Sequence, residues 1–234
     1  MLDLHTHILP GMDDGSRSAE QSIAMLQMEA EQGVDTVVMT PHYDADRESP
    51  AEFAVRRAAA EYQLRTALAN QRGMPALLSG AEVAYFEGLS RVADLTPLCI
   101  GHTGAMLVEM PFGPWNRRML GELFELKQVR GIQPILAHVE RYRAFQPAGT
   151  LEELNHSGVW LQCNASFFLR WQTSRQAMGM LRQQLIHFIA SDCHNLDRRP
   201  PNVGAAIQRV EKKLGTEAVA FLWQNKDALL GGMT

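Results

Sequence analysis

Basic residues are in short supply in this 234-residue chain: 22 Lys and Arg face 26 Asp and Glu, for a net charge of −4. A chain of that balance lacks the positive face that nucleic-acid binding requires, so no nucleic-acid partner is expected. Long apolar runs are missing too. None approaches the roughly 18 residues of a membrane-spanning helix, so direct membrane insertion is not expected. The opening MLDLHTHILPGMDDGS has neither the basic start nor the apolar core of a secretory signal. Only three cysteines occur, Cys99, Cys163 and Cys193, an odd and widely spaced set that makes no disulfide framework. A reduced, cytoplasmic protein is the expectation. Repeats, low-complexity tracts and linkers are also absent. What is there, 46% hydrophobic and 21% charged residues, is the composition of an ordinary globular protein. One domain over residues 1–234 accommodates it.

Short apolar runs alternate with longer amphipathic ones. The expected strands are Met1–Leu4, Thr36–Met39, Ala76–Ser79, Ala105–Val108, Gln133–Ala137, Val159–Gln162 and His187–Ala190. Helices are expected over Ser18–Gln32, Ala51–Gln71, Asn116–Arg130, Thr150–Asn155, Ser174–Gln184 and Pro201–Leu214. Apolar spacings such as Ile23, Leu26, Ala30 and Leu120, Leu123, Phe124 have the helical period. Ser18 and Gln21 suit a capping box, and Gly33, Gly73, Gly131 and Gly158 fall where helices end. Such alternation implies an α/β fold with a parallel sheet, either open or closed into a barrel.

The polar residues choose between the two. Six of the seven expected strands end in metal-ligand types: His5 and His7, His42, Glu82, Glu109, His138, then Asp192 with His194. The remaining strand ends in Asn164, which is merely polar. A barrel gathers all C-terminal strand ends at one mouth, whereas an open sheet scatters them. The barrel is therefore expected. His5 and His7, two apart on a strand, face the same way and can share an ion. Mixed imidazole and carboxylate donors without a thiolate cluster suit Zn, Mn or Fe at a hydrolytic centre. They are too many for one tetrahedral ion, which implies at least two metals and a bridging carboxylate. Asp13 and Asp14 form an acidic turn from which one can reach a metal. His102, His156 and His187 have no such placement and read as structural or solvated.

The stretches H-x-H-I-L-P-G-M-D-D-G, T-P-H, G-A-E-V, V-E-M-P-F, A-H-V-E-R-Y and S-D-C-H-N-L-D-R-R-P-P occur in this order from Met1 to about Val203. They resemble the polymerase-and-histidinol-phosphatase superfamily, and within it the bacterial tyrosine-phosphatase branch associated with capsule and exopolysaccharide biosynthesis. The resemblance implies a distorted (β/α)7 TIM-like barrel carrying three divalent ions, usually Mn, with Fe or Zn as alternatives. It implies that His5, His7, Glu82 and Asp192 hold the first ion. Glu82 would bridge to a second ion with Glu109 and His138, and Asp14, His42 and His194 would hold the third. By alignment Asp14, rather than Asp13, is that ligand. Some relatives have a second histidine after T-P-H, where this chain has Tyr43. The implied substrate is a phosphotyrosine protein, such as a bacterial tyrosine autokinase controlling polysaccharide export.

Charge supports an anionic substrate. Three ions bring about +6 against about −4 from the four carboxylates. Arg141 and Arg199 are the expected phosphate-gripping residues, with an ordinary surface cation as the alternative for each. Three other enzymes compete. Cys193 and Arg199 satisfy the C-x5-R spacing of a cysteine phosphatase, but the intervening residues lack glycine, and Asp192 and Asp197 repel both thiolate and phosphate. A metal-dependent amidohydrolase also uses His-x-His, but ends in a lone Asp. A histidinol-phosphate phosphatase shares the ligands and stays open, whereas a noncatalytic metal-binding or regulatory module, from another class, would need missing ligands, and none is missing.

Overall fold

The computed structural model describes residues 1–231. Nine parallel strands form its wall: β1 (Leu2–Thr6), β2 (Thr36–Met39), β3 (His42–Tyr43), β4 (Ala76–Ser79), β5 (Glu82–Ala84), β6 (Ala105–Glu109), β7 (Gln133–Leu136), β8 (Trp160–Asn164) and β9 (Phe188–Ala190). One sheet runs β1-β2-β4 and another β3-β5-β6-β7-β8-β9. β3 continues β2 across Thr40-Pro41, and β5 continues β4 across Gly80-Ala81, so the wall has seven positions. It closes where Thr6 bridges Cys193 and the His5 carbonyl accepts from the Asp192 amide at 2.9 Å. The result is the expected distorted (β/α)7 barrel.

Leu2, Leu4, Val38, Leu107, Ile135, Ala137, Phe188 and Ala190 form a cluster contributed by strands all round the wall, which is the barrel interior. Side chains alternate along a strand, so the residues two and four beyond each of these should also point inward. On most strands they do. Val38 leads to His42, Leu107 to Glu109 and Ala190 to Asp192; Trp160, which packs on the same cluster, leads to Gln162 and Asn164. Two strands break parity. In β1 the inward residues are Leu2 and Leu4, yet His5 and His7 face the mouth; the register against β2 slips between Asp3 and Thr6, a bulge that shifts the inward set by one. In β7 the inward set ends at Ala137, and His138 is turned in by a left-handed backbone, φ 33 and ψ 52.

Helices α1 (Ala19–Glu31), α2 (Pro50–Leu68), α3 (Arg117–Gln128), α4 (Thr150–His156), α5 (Ala165–Leu169), α6 (Trp171–Arg182) and α7 (Val203–Leu214) pack outside the wall, and α8 (Thr216–Gly231) follows. Ser18 caps α1 by accepting from the Gln21 amide, but the expected capping box is only half made, because Gln21 Oε1 accepts from the Arg17 amide instead. α5 and α8 lie outside the helices read from sequence, and α6 begins three residues earlier than its apolar spacing indicates. Leu222 of α8 is buried in the main core, and Leu229 joins the barrel-interior cluster, so α8 caps the barrel. The sequence alone leaves open whether Leu222, Trp223 and the tail Leu229–Thr234 cap the barrel or bind a partner; of that tail, residues 232–234 lie outside the described residues. His102 and His156 are exposed, whereas His187 is buried.

Candidate metal centre

All nine candidate ligands converge on the barrel mouth. His5, His7, Glu82, His138, Asp192 and His194 are at most 2% exposed. Donor atoms of His5, His7 and Asp192 lie within 4.8 Å of one another, as do those of His7, Asp14, His42 and His194, and those of His42, Glu82 and Glu109. His138 Nε2 is 3.0 Å from Glu82 Oε1 and 3.2 Å from Glu109 Oε1.

These spacings fit ligands around shared cations. Bond lengths of about 2.0–2.2 Å put neighbouring donors of a tetrahedral or octahedral ion about 3.0–3.5 Å apart. His5 Nε2 lies 3.2 Å from His7 Nε2, 3.1 Å from Glu82 Oε2 and 3.5 Å from Asp192 Oδ1. His7 Nε2 lies 3.2 and 3.4 Å from the same two oxygens. Five edges of one coordination polyhedron are thus in place. Asp14 Oδ1, 3.5 Å from His42 Nε2 and 3.4 Å from His194 Nε2, sketches another. The buried Glu82 Oε2 and His194 Nε2 have no hydrogen-bond partner, a costly arrangement that a cation relieves.

The surroundings dictate which imidazole nitrogen carries the lone pair. His7 Nδ1 donates to the Asp13 carboxylate at 2.7 Å, and His194 Nδ1 donates to the Asp192 carbonyl at 3.0 Å. Both acceptors lack a proton to give, so Nε2 of each ring is left free to ligate. Asp13 thus orients His7, and it also accepts from the Gly15 and His42 amides. Gly15 is required there: a Cβ would come within 2.2 Å of the His7 carbonyl.

His5 is fixed through a relay that the sequence reading missed. Asn164 Nδ2 donates to Asp192 Oδ2 at 2.8 Å, and Gln162 Nε2 donates to Asn164 Oδ1 at 2.9 Å. Gln162 Oε1 accepts from the His138 backbone amide at 2.7 Å and faces His5 Nδ1 at 3.2 Å. A carboxylate can only accept and an amide N–H can only donate, so both ends of the relay fix the orientation of both side-chain amides. His5 must then be protonated at Nδ1. The signal was available in the sequence, as two polar residues at i and i+2 on the otherwise apolar strand β8.

Proton affinities in the cluster have been exchanged between bases and acids. Burial alone would raise the Glu82 carboxyl, but His5, His138 and His42 hold it well below the usual carboxylate range. Burial opposes protonation of His138, yet Glu109 and Glu82 raise its pKa to about 9. For His7, hydrogen bonds to the Asp13, Asp192 and Glu82 carboxylates likewise outweigh burial and push it well up. His194 goes the other way, to about 4, through burial and the positive charge of His7 and Arg199. This pattern suits a site in which cations replace protons.

Arg141 and Arg199 both reach the mouth and close on one carboxylate: their Nη2 atoms lie 2.6 Å from Asp192 Oδ2 and Oδ1 respectively. Both remain more than a third open to solvent, Arg141 34% and Arg199 40%, while Asp192 is 2% exposed. Asp192 itself has a left-handed backbone, φ 54, a conformation that costs a non-glycine residue about 1–2 kcal/mol and is held by this network. Phe112, 56% exposed, stacks on His138 at 6.2 Å and an interplanar angle of 13°. The cysteine alternative finds no support, because Cys193 is fully buried and burial, with Glu29 and Asp3 nearby, pushes its thiol well above the ordinary value.

A distorted (β/α)7 barrel whose mouth is ringed with imidazoles and carboxylates defines a metal-centred hydrolytic class. The chain belongs to the family described as capsular polysaccharide synthesis, CpsB/CapC, whose model matches residues 1–231. It is 32% identical over 240 residues to the tyrosine-protein phosphatase YwqE of Bacillus subtilis (strain 168), covering 100% of this chain and 93% of that protein. It is 30% identical to the tyrosine-protein phosphatase CpsB of Streptococcus pneumoniae, with 95% of each covered. Among solved structures, one described with YwqE from Bacillus subtilis and CpsB from Streptococcus pneumoniae as unique metal-dependent tyrosine phosphatases matches with a TM-score of 0.87 at 30% identity, covering 100% of this chain and 96% of that one. A TatD-like protein from Archaeoglobus fulgidus, 12% identical with a TM-score of 0.51 over 95% of this chain and 100% of that one, shares the fold.

Proposed function

We propose that this protein is a metal-dependent protein-tyrosine phosphatase. The observation that carries the reading is the set of ligand-to-ligand spacings around Glu82, with two arginines at its rim, in a chain that belongs to the CpsB/CapC family. His5, His7, Glu82 and Asp192 would hold one ion, Glu82, Glu109 and His138 a second, and Asp14, His42 and His194 a third, with Mn the expected metal and Fe or Zn able to substitute. Such ions supply a hydroxide at neutral pH and Lewis acidity toward phosphoryl oxygen.

The chain's own residues do the rest. Nδ1 protons on His5, His7 and His194 keep each Nε2 aimed inward. Arg141 and Arg199, paired to Asp192 through one nitrogen each, have further N–H groups and open faces with which to grip nonbridging phosphate oxygens as charge builds on them. The leaving phenol has a pKa of about 10, low enough that no strong general acid is needed. Phe112 offers an aromatic platform beside His138 on which a tyrosyl ring can lie.

The family's link to capsular polysaccharide synthesis supports a further assignment, a phosphorylated tyrosine autokinase controlling polysaccharide export as the substrate, met in the cytoplasm. The test is turnover of phosphotyrosyl peptide, phosphoseryl peptide and histidinol phosphate by chelated protein reloaded with Mn, Fe or Zn. Phosphotyrosine should be preferred and chelation should abolish turnover. Faster histidinol phosphate turnover would move the assignment to a small-molecule phosphatase.

A further inference from the structure

The chain is acidic overall, but its cations are unevenly distributed. A groove of about 440 Å³ lies between α6 and α7, and Trp171, Arg175, Met178, Arg182, Arg209 and Lys213 line it. Among the described residues, none of those four cations forms an ion pair. Arg209 alone makes a side-chain hydrogen bond, from Nε to Ser174 Oγ at 3.1 Å. Elsewhere on the surface, cations such as Arg47, Arg57, Arg118 and Lys226 are matched with carboxylates. No carboxylate lines this groove; Glu217 lines the adjoining hollow, which shares Arg182, Lys213 and Leu214.

The apolar part of the groove points the same way. Trp171 is 80% exposed, the most open of the large hydrophobic side chains among the described residues, and it stands at the first position of α6. Trp171, Arg175, Met178 and Arg182 follow one another at helical spacing, so one face of α6 presents an aromatic ring, then charge, a buried thioether and charge again. The stripe is about 16 Å long, the reach of roughly five extended residues. Trp171 stands seven positions after Asn164, which is hydrogen-bonded to Asp192, so the upper end of the groove lies within about 25 Å of the mouth.

We infer that this groove docks an acidic segment of the phosphotyrosine substrate protein, with Trp171 receiving an apolar or aromatic side chain beside the acidic run. Charge complementarity selects the occupant: four unpaired cations in a concave strip on a protein of net charge −4. A concave strip of this length suits an extended chain better than a flat anionic bilayer. The inference rests on the phosphatase reading for its biological sense, but not for its test.

The direct test is binding of a fluorescein-labelled, unphosphorylated peptide rich in Glu with one aromatic residue, followed by anisotropy on the metal-loaded protein, with a neutral peptide of equal length as control. The acidic peptide should bind at least tenfold more tightly, and affinity should fall as salt rises. The double charge reversal R175E/R209E should weaken it at least tenfold, and Trp171→Ala by several fold. In turnover, R175E/R209E should raise KM for an acidic phosphotyrosyl peptide tenfold or more, leaving kcat and the turnover of a small aryl phosphate unchanged. Equal affinity for acidic and neutral peptides, or indifference of the acidic peptide to the charge reversal, would overturn the inference. So would tighter, charge-reversal-sensitive binding to vesicles containing phosphatidylglycerol or to single-stranded RNA than to the peptide. If the parent protein hydrolyses no phosphotyrosyl compound, the activity reading fails, and the unphosphorylated peptide still decides the groove.

Discussion

The Gln162–Asn164 relay makes the sharpest demand on experiment, because its polarity is forced at both ends. Replacing Gln162 by Met keeps the length and bulk of a fully buried side chain and removes its amide. Three partners are then lost. The His138 amide N–H loses its acceptor at 2.7 Å, His5 Nδ1 loses its acceptor at 3.2 Å, and Asn164 Oδ1 loses its donor at 2.9 Å. An unpaired buried N–H costs about 1–3 kcal/mol, which a barrel with about 5–15 kcal/mol of stability withstands. Loss of an orienting partner to a ligating histidine costs about 10–100-fold in metal affinity, or about 1.4–2.7 kcal/mol.

Two readouts separate orientation from mere loosening. Competition with a chelator of known affinity gives the metal dissociation constant, and proton-coupled 15N spectra of the imidazoles report which ring nitrogen carries hydrogen. Gln162→Met should weaken metal by that factor and leave His5 a mixture of tautomers, while His7 and His194, held by Asp13 and the Asp192 carbonyl, keep theirs. Asn164→Asp should weaken metal through the other arm by setting a second carboxylate against Asp192. Metal affinity within twofold of the parent for Gln162→Met, with His5 still protonated at Nδ1, would refute the relay.

Three other outcomes are expected. Arg141→Ala should lower kcat/KM on phosphotyrosyl peptide at least tenfold, about 1.4 kcal/mol or more, and Arg141→Lys should recover only part; metal content should hold, since Asn164 and Arg199 still secure Asp192, and its loss would make Arg141 a support for the ligand instead. Apparent metal affinity should rise with pH up to about 9, because the proton on His138 must leave before Nε2 can ligate and its pKa lies at about 9 in the protein without metal; calorimetry of Mn binding in buffers of different ionisation enthalpy counts that proton, and no release at pH 7 would contradict it. His187, which leads into β9 at the end of the barrel away from the mouth, is held at about 4 by burial, with Lys127 adding to the effect. Its folded pKa is depressed below the unfolded value of about 6.5, so its neutral form contributes full stability above about pH 6.5 and loses it progressively down to about pH 4, a change of order 3 kcal/mol. Denaturant melts of the parent minus those of His187→Gln isolate that slope, and a flat difference between pH 4 and 6.5 would sink it.

The ease of reading this barrel from its sequence varies strand by strand, and the variation has one physical origin. Where the polar residue stands an even number of positions beyond an inward apolar one, as Glu109 does after Leu107, strand periodicity alone carries the ligand into the mouth. Where it stands an odd number beyond, periodicity assigns it to the wrong face. His5 after Leu4 and His138 after Ala137 are such cases, and only a bulge in β1 and a left-handed residue after β7 bring them round. Ligand chemistry flagged both histidines, while the backbone devices that aim them lie in three-dimensional register and left no residue-type signature. The relay shows the converse. Gln162 and Asn164 have the right parity, following Trp160, but neither is a ligand type, so a search for metal-binding residues passed over the strand that orients two of them. The groove on α6 and α7 was hidden differently: summed charge is negative, and only folding brings Arg175 and Arg182 beside Arg209 and Lys213. Periodicity therefore locates a ligand on its strand, while the contacts that set its tautomer, and the surface that selects its substrate, are made between strands and helices distant in the chain.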